Sequence, residues 1–328
     1  MAPSPELVER FRGDLDELIA PIERLGIAVS GGPDSMALLL LAAAARPGLV
    51  EAATVDHALR PESRSEAEMV ADICGRLGIP HEILSVEWEA KPTSAIQERA
   101  REARYRLLTA WVRERGLSAL ATAHHLDDQA ETLVMRLLRG AGVRGLAGMR
   151  RAAPAPGDDL PLVRPLLSWR HSELEELCRA AGVIPVADPS NADEQFERVR
   201  VRRALSEAKW LDPEALALSA DYLSEADSAL HWATSREWQR AVTATDEEVA
   251  YRPDDAPREI LRRIARRAVL RLAREGKGED LRGRELDRLL SALRSGRTMT
   301  LRGVLCTGGK EWRFIPAPNR TRRMDNLR

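Results

Sequence analysis

Residues 27–36 read IAVSGGPDSM, an apolar run that ends in a serine, two glycines, a proline, an aspartate and a second serine. The run IAV predicts a strand, and the residues that follow, ALLLLAAAA at 37–45, predict a helix. A glycine-rich turn between a strand and a helix lets backbone N–H groups point at an anion, and the helix N-terminus favours its charge. The turn matches neither GxxxxGK[ST] nor GxGxxG, so it is not one of the two common nucleotide fingerprints. Gly31, Gly32 and Pro33 shape the loop, Ser30 and Ser35 offer hydroxyls, and Asp34 is a candidate ligand for a magnesium ion bridging phosphates.

Working outward, residues 26–123 alternate short apolar runs with amphipathic segments. Strands are expected at GIAVS, VEAATVD, HEILSV and LSALATA, with helices from Asp34 to Ala45, Ser63 to Leu77 and Ser94 to Arg115. This βαβαβαβ order predicts an α/β fold with a doubly wound parallel sheet of Rossmann-like type, whose ligands bind beyond the carboxyl ends of the strands. The unusual polar clusters all fall there: SGGPDS after the first strand, DHALR after the second, and HHLDD after the fourth.

A helix from Asp127 to Leu138 follows, with Asp127 as its expected cap, and glycines in RGAGVRGLAGMRR stop it. APAPGDDLP reads as a surface loop, and Ser168 as the cap of a helix through HSELEELCRAAG that Gly182 ends. The stretch 183–205 carries two prolines and a turn, which places the end of a first domain at about residue 203. Residues 204–328 form a second, mainly helical and basic region: a helix to about Arg240, a break at DEEVAYRPDDAP, helices over 258–275 and 284–294, and a small β-hairpin from TMTLRGVLCT to EWRFIP. Trp312 and Phe314 alternate within that hairpin and are expected in the core.

The chain has 328 residues, 44% hydrophobic and 31% charged, as in ordinary globular proteins. No apolar run reaches the length of a membrane span and no secretory signal opens the chain, so a cytoplasmic protein is expected. Cys74, Cys178 and Cys306 lie far apart without a CxxC pair, which argues against zinc ribbons and disulfide frameworks. The net charge of −1 hides an asymmetry: residues 257–328 hold 20 Lys and Arg against 8 Asp and Glu. A basic segment on an acidic body suggests a polyanion partner.

SGGPDS resembles the SGGxDS loop of the PP-loop ATP pyrophosphatases, which cleave ATP to AMP and pyrophosphate and adenylate a substrate. VDHALR at 55–60, AREARYRLL at 100–108, TAHHLDDQAETLVMRLLRGAGVRGLAGM at 122–149 and DPSNADEQFERVRVR at 188–202 narrow the resemblance to the tRNA(Ile)-lysidine synthetase family. One position departs from that pattern, Val199, where asparagine is expected.

The resemblance implies adenylation at C2 of the wobble cytidine of a CAU-anticodon tRNA(Ile), followed by attack of free L-lysine. ATP and magnesium are the implied cofactors, and a homodimer is compatible with it. The implied ATP-binding residues are the loop 30–35 together with Asp56, His57 and His124, the magnesium ligand is Asp34, and Arg101 and Arg104 are candidates to neutralise the leaving pyrophosphate. Asp128 and Glu131, at i and i+3, share one helix face and are expected to hold the lysine ammonium. Arg198 and Arg202 are the expected functional pair beside them, and basic stretches 136–151 and 258–328 would hold the tRNA backbone. Two other readings differ in a testable way. A PP-loop tRNA thiolase needs reactive cysteines, and a non-catalytic RNA-binding protein would need no ATP turnover.

Overall fold

The computed structural model describes residues 2–59, 62–88, 95–186, 195–273, 281 and 283–318. Arg60 and residues 188–194, which carry parts of the expected motifs, lie outside the described residues. The chain forms two compact units, Met1–Ser224 and Glu225–Arg328.

In the first unit, strands β1 (Leu25–Ala28), β2 (Val50–Asp56), β3 (His81–Ser85) and β4 (Ala119–Ala121) alternate with helices α2 (Pro33–Ala45), α3 (Glu62–Leu77) and α4 (Ile96–Glu114). An additional helix, α1 (Pro5–Asp16), precedes them; the Ser4 side chain caps it, and it buries Phe11 and Leu15. After β4 come α5 (Leu126–Leu138), the single turn α6 (Val143–Leu146), the pair β5 (Ala152–Pro154) and β6 (Pro161–Val163), α7 (His171–Ala180) and α8 (Glu197–Glu207). The sheet order is β3-β2-β1-β4-β6-β5, parallel except for edge strand β5. APAPGDDLP is therefore the hairpin connection of β5 and β6, and its ends are sheet residues.

Chain order reverses between β1 and β4, so the crevice of this doubly wound sheet opens above those two strands. Helix α2 is apolar all round because it is covered all round. Met36 to Ala42 are buried, with α1 and α7 against it and the sheet beneath. Trp111 and Val112 of α4 instead pack with Leu120 and Leu162 in a separate cluster.

The helix after residue 170 begins at His171, not near Ser168. Glu173 accepts from the Arg170 N–H at 2.8 Å and closes the first turn, while the Ser168 hydroxyl donates to Asp14. Gly182, at φ +67, ends it as expected.

Helix α9 (Pro213–Ala241) runs through the division between the two units. The second unit continues with β7 (Val242–Ala244), β8 (Val249–Tyr251), α10 (Arg258–Leu272), α11 (Gly283–Arg294), β9 (Thr298–Leu301), β10 (Val304–Thr307) and β11 (Trp312–Pro316). The expected hairpin is part of a five-stranded antiparallel sheet, β7-β8-β11-β10-β9. Strand β8 lies inside the stretch read as a break, because Val249 and Tyr251 alternate inward. The amphipathic helices α10 and α11 close the core over Trp312 and Phe314.

Candidate active site

The loop after β1 is held by its own side chains. The Ser35 hydroxyl accepts from the Ser30 N–H at 3.1 Å and donates to the Gly32 carbonyl at 3.0 Å; the two serine hydroxyls are 3.2 Å apart. Gly31 sits at φ +86, a left-handed conformation that a side chain would strain, and its carbonyl accepts from Val186. Gly32 then caps α2 with no side-chain hydrogen bond to the helix end, so the turn presents backbone N–H groups at a helix N-terminus.

Asp34, in the first turn of α2, meets two histidines. His171 Nδ1 lies 2.7 Å from Asp34 Oδ1, and His125 Nε2 lies 3.6 Å from Oδ2. The two rings are 5.2 Å apart, and one atom from each of the three residues falls within 4.8 Å of the others. Burial works against charge at His125, but hydrogen bonds to Asp127 and Asp34 and the nearby Asp128 outweigh it and push the imidazole up to about 10. The hydrogen bond to Asp34 raises His171 as well. Burial alone would raise Asp34, yet the bonds to His125 and His171 hold it well below the usual carboxylate range. The His125 imidazolium thus stands beside the loop, with His171 shifted in the same direction next to it.

The carboxylates of HHLDD divide their work differently from the expectation. His125 is the cap of α5 and Asp128 completes the capping box, accepting from the His125 N–H at 3.2 Å. Asp127 does not cap its own helix. It reaches across to α7, accepting from the His171 N–H at 2.7 Å and from Arg170 at 3.1 Å. Glu131, 2% exposed, is taken up on both oxygens: Arg198 Nε donates at 2.7 Å and Arg202 Nε at 2.6 Å. The two arginines can do this because residues 197–207 are helical, which sets positions 198 and 202 on one face. Asp128 Oδ1 lies 3.3 Å from Arg198 Nη2.

The remaining candidates surround this centre. His124 bonds Thr122 through Nδ1 at 2.9 Å; burial, opposed by Asp128 but reinforced by Arg164, Arg198 and Arg101, pushes it down to about 4, so it is neutral. His57 is pushed to about 4 by burial and by Arg104. Asp56 serves its own turn, accepting from the Ala58 N–H and the Ser63 hydroxyl. Arg101 lies over the Tyr105 ring at 4.9 Å.

In the basic stretch 136–151, expected to hold the tRNA backbone, three arginines are engaged within the fold. Arg136 donates inward to the Gly145 and Gly148 carbonyls, and Arg139 and Arg151 pair with Glu197, Asp14 and Glu17. Gly148, at φ +61, leaves room for Gln129, which clasps both backbone groups of Met149; a Cβ there would lie 2.5 Å from Gln129 Oε1.

Sequence reading alone missed His125 in favour of its neighbour, and it missed His171 entirely. Strand β4 is buried throughout and its buried run continues into Thr122, so it gives no cue to which histidine turns inward. The sequence signal for His171 was its place at the start of α7.

A family profile described as the PP-loop domain matches residues 7–209. A tRNA(Ile)-lysidine synthase from Novosphingobium aromaticivorans is 48% identical over 94% of this chain and 93% of its own length. One from Zymomonas mobilis is 42% identical over 90% and 89%. Among solved structures, a U34-tRNA thiolase from Methanococcus maripaludis shares the fold, with a TM-score of 0.56 and 16% identity over 67% of this chain and 78% of that one. The loop at 30–35, the HHLDD segment at the sheet's reversal point and this likeness along almost the whole chain agree: the chain belongs to the tRNA(Ile)-lysidine synthase family, built on a PP-loop domain.

Proposed function

We propose that the chain uses ATP to adenylate C2 of the wobble cytidine in a CAU-anticodon tRNA(Ile) and then joins free lysine to that carbon. In the first step the C2 oxygen attacks the α-phosphorus and the bond to the β-phosphate breaks, releasing pyrophosphate. In the second, the lysine ε-nitrogen attacks C2, loses a proton, and the C2–O bond breaks to release AMP. The observation that carries this reading is the pair of clusters above β1 and β4. The phosphate-binding turn with His125 and His171 lies on one side, and the Glu131–Arg198–Arg202 group on the other.

The charge developing on pyrophosphate is met by the N–H groups of the loop and by the His125 imidazolium, with His171 beside it. Arg198 and Arg202, oriented by Glu131, face the adenylated base. With Glu131 held by two arginines, Asp128, whose contact with Arg198 is the longer one at 3.3 Å, is the carboxylate proposed for the lysine ammonium. Asp34 would be the one carboxylate to hold a magnesium ion, which needs phosphate oxygens and water for the rest of its shell and would neutralise charge on the leaving pyrophosphate. Exposed Arg284, Arg288 and Arg294 on α11 are the proposed phosphate contacts of the second unit. Among the described residues, no helix is long and apolar enough to cross a membrane.

A thiolase reading is disfavoured because Cys74, Cys178 and Cys306 are buried and burial pushes each thiol up to about 12. The test is pyrophosphate release from ATP with lysine omitted. Release that needs the CAU transcript supports the proposal; release without RNA, or none with it, opposes it.

A further inference from the structure

Arg164 follows β6 directly, at the carboxyl end of the sheet and next to the strand that leads into His124 and His125. It is 8% exposed. Its Nη1 donates to the Arg150 carbonyl at 2.7 Å, and its buried Nε has no partner. Among the described residues, six arginines have a buried, unpartnered Nε. Arg46, Arg151, Arg170, Arg262 and Arg302 each reach a carboxylate through a terminal nitrogen, whereas Arg164 reaches none among the described residues.

Burying a guanidinium without a counter-charge is costly, and a fold retains such a group where an anion arrives later. A second cation, Arg101, is a neighbour and deepens the deficit, while His124 beside it is neutral.

We propose that Arg164 receives the α-carboxylate of the incoming amino acid. This rests on the lysine-transfer reading above. Phosphate is the less suitable occupant, because the phosphate loop follows β1, and Arg164 follows β6 on the far side of β4, two strand spacings or roughly 9–10 Å away. Asp128, the carboxylate available to the ε-ammonium, lies beside His124 between the two. A lysine held there has a cation at one end and an anion at the other, and Arg164 supplies the missing complement. Its planar fork suits a carboxylate, which it binds with two parallel N–H donors.

The test compares lysine with cadaverine, the same chain and amine without the carboxylate, as acceptors of the adenylated tRNA. In the unmodified chain lysine is favoured. Arg164→Gln should raise the KM for lysine tenfold or more, leave that for cadaverine within about twofold, and leave formation of adenylated tRNA unchanged. Arg164→Lys, which keeps the charge and loses the fork, should fall between the two and carries the test if the glutamine variant does not fold. An unchanged lysine-to-cadaverine ratio in a folded variant overturns the assignment. So does a loss confined to adenylation, which would make the anion a phosphate. Lysine transfer by the unmodified chain is read separately, so failure of the reaction itself is not confused with failure of Arg164.

Discussion

Glu131→Gln keeps the shape of the side chain and removes the charge that Arg198 and Arg202 share. Glu131 is buried, whereas the two arginine side chains are 41% and 46% exposed. Breaking a buried ion pair costs about 3–5 kcal/mol, but water reaches both guanidiniums and recovers part of it, leaving about 2–3 kcal/mol. For a unit of this size that is a fall of about 5–10 °C in Tm. The chemical effect follows from the same contacts. Arg198 and Arg202 lose their orientation, and each misplaced charge-assisted contact costs about tenfold to a hundredfold in rate. Because both steps place charge beside these arginines, single-turnover formation of adenylated tRNA and transfer of lysine should drop together. Asp128→Asn, by contrast, should mainly raise the lysine concentration needed. If Glu131→Gln leaves adenylation intact and raises only the KM for lysine, then Glu131 is itself a lysine ligand and the anchoring argument is wrong.

Asp34→Asn removes the anion that holds His125 and His171 together and should reduce pyrophosphate release by at least a hundredfold while tRNA affinity stays within twofold; near-normal release would refute its role. The His125 imidazole titrates at about 10 in the fold, above its unfolded value of about 6.5, so its stabilisation is complete below pH ~6.5 and is lost as pH rises towards 10. Asp34 and Asp127 are depressed, so their contribution is present above pH ~4 and is lost as pH falls. His125→Asn should therefore flatten the alkaline decline of Tm between pH 7 and 10, and an unchanged slope would contradict the pairing. Replacing both Arg284 and Arg288 by alanine should lower the salt slope of tRNA binding by about 1–2; equal slopes would show that face to be merely solvated.

What the sequence made legible was local. The strand, glycine turn and helix at 25–45 announce themselves within one window, and the same holds for each βα unit through β4. Distant pairings were not legible: His171 sits 137 positions from Asp34 and reaches it only because α7 packs against α2. Asp127 and Asp128 are adjacent in sequence, and it is the helix start at His125 that makes Asp128 complete the capping box and sends Asp127 across to α7. Glu131 carries no cue that both its oxygens are taken, since its partners come from α8. In the second unit the β9–β11 hairpin region was legible, whereas β7 and β8, three residues each, are too short for alternation to separate them from turns. Arg164 was overlooked for the opposite reason to His171: an arginine after a short strand reads as a surface charge, and only burial reveals it.

The central claim is tested most directly by incubating the full chain with ATP, labelled lysine and a CAU-anticodon tRNA(Ile) transcript, then digesting the RNA to nucleosides. The account predicts label in a single modified cytidine at the wobble position, dependent on ATP and accompanied by one AMP per lysine. Unlabelled RNA from a folded chain that consumes ATP, or label at another nucleotide, would contradict it.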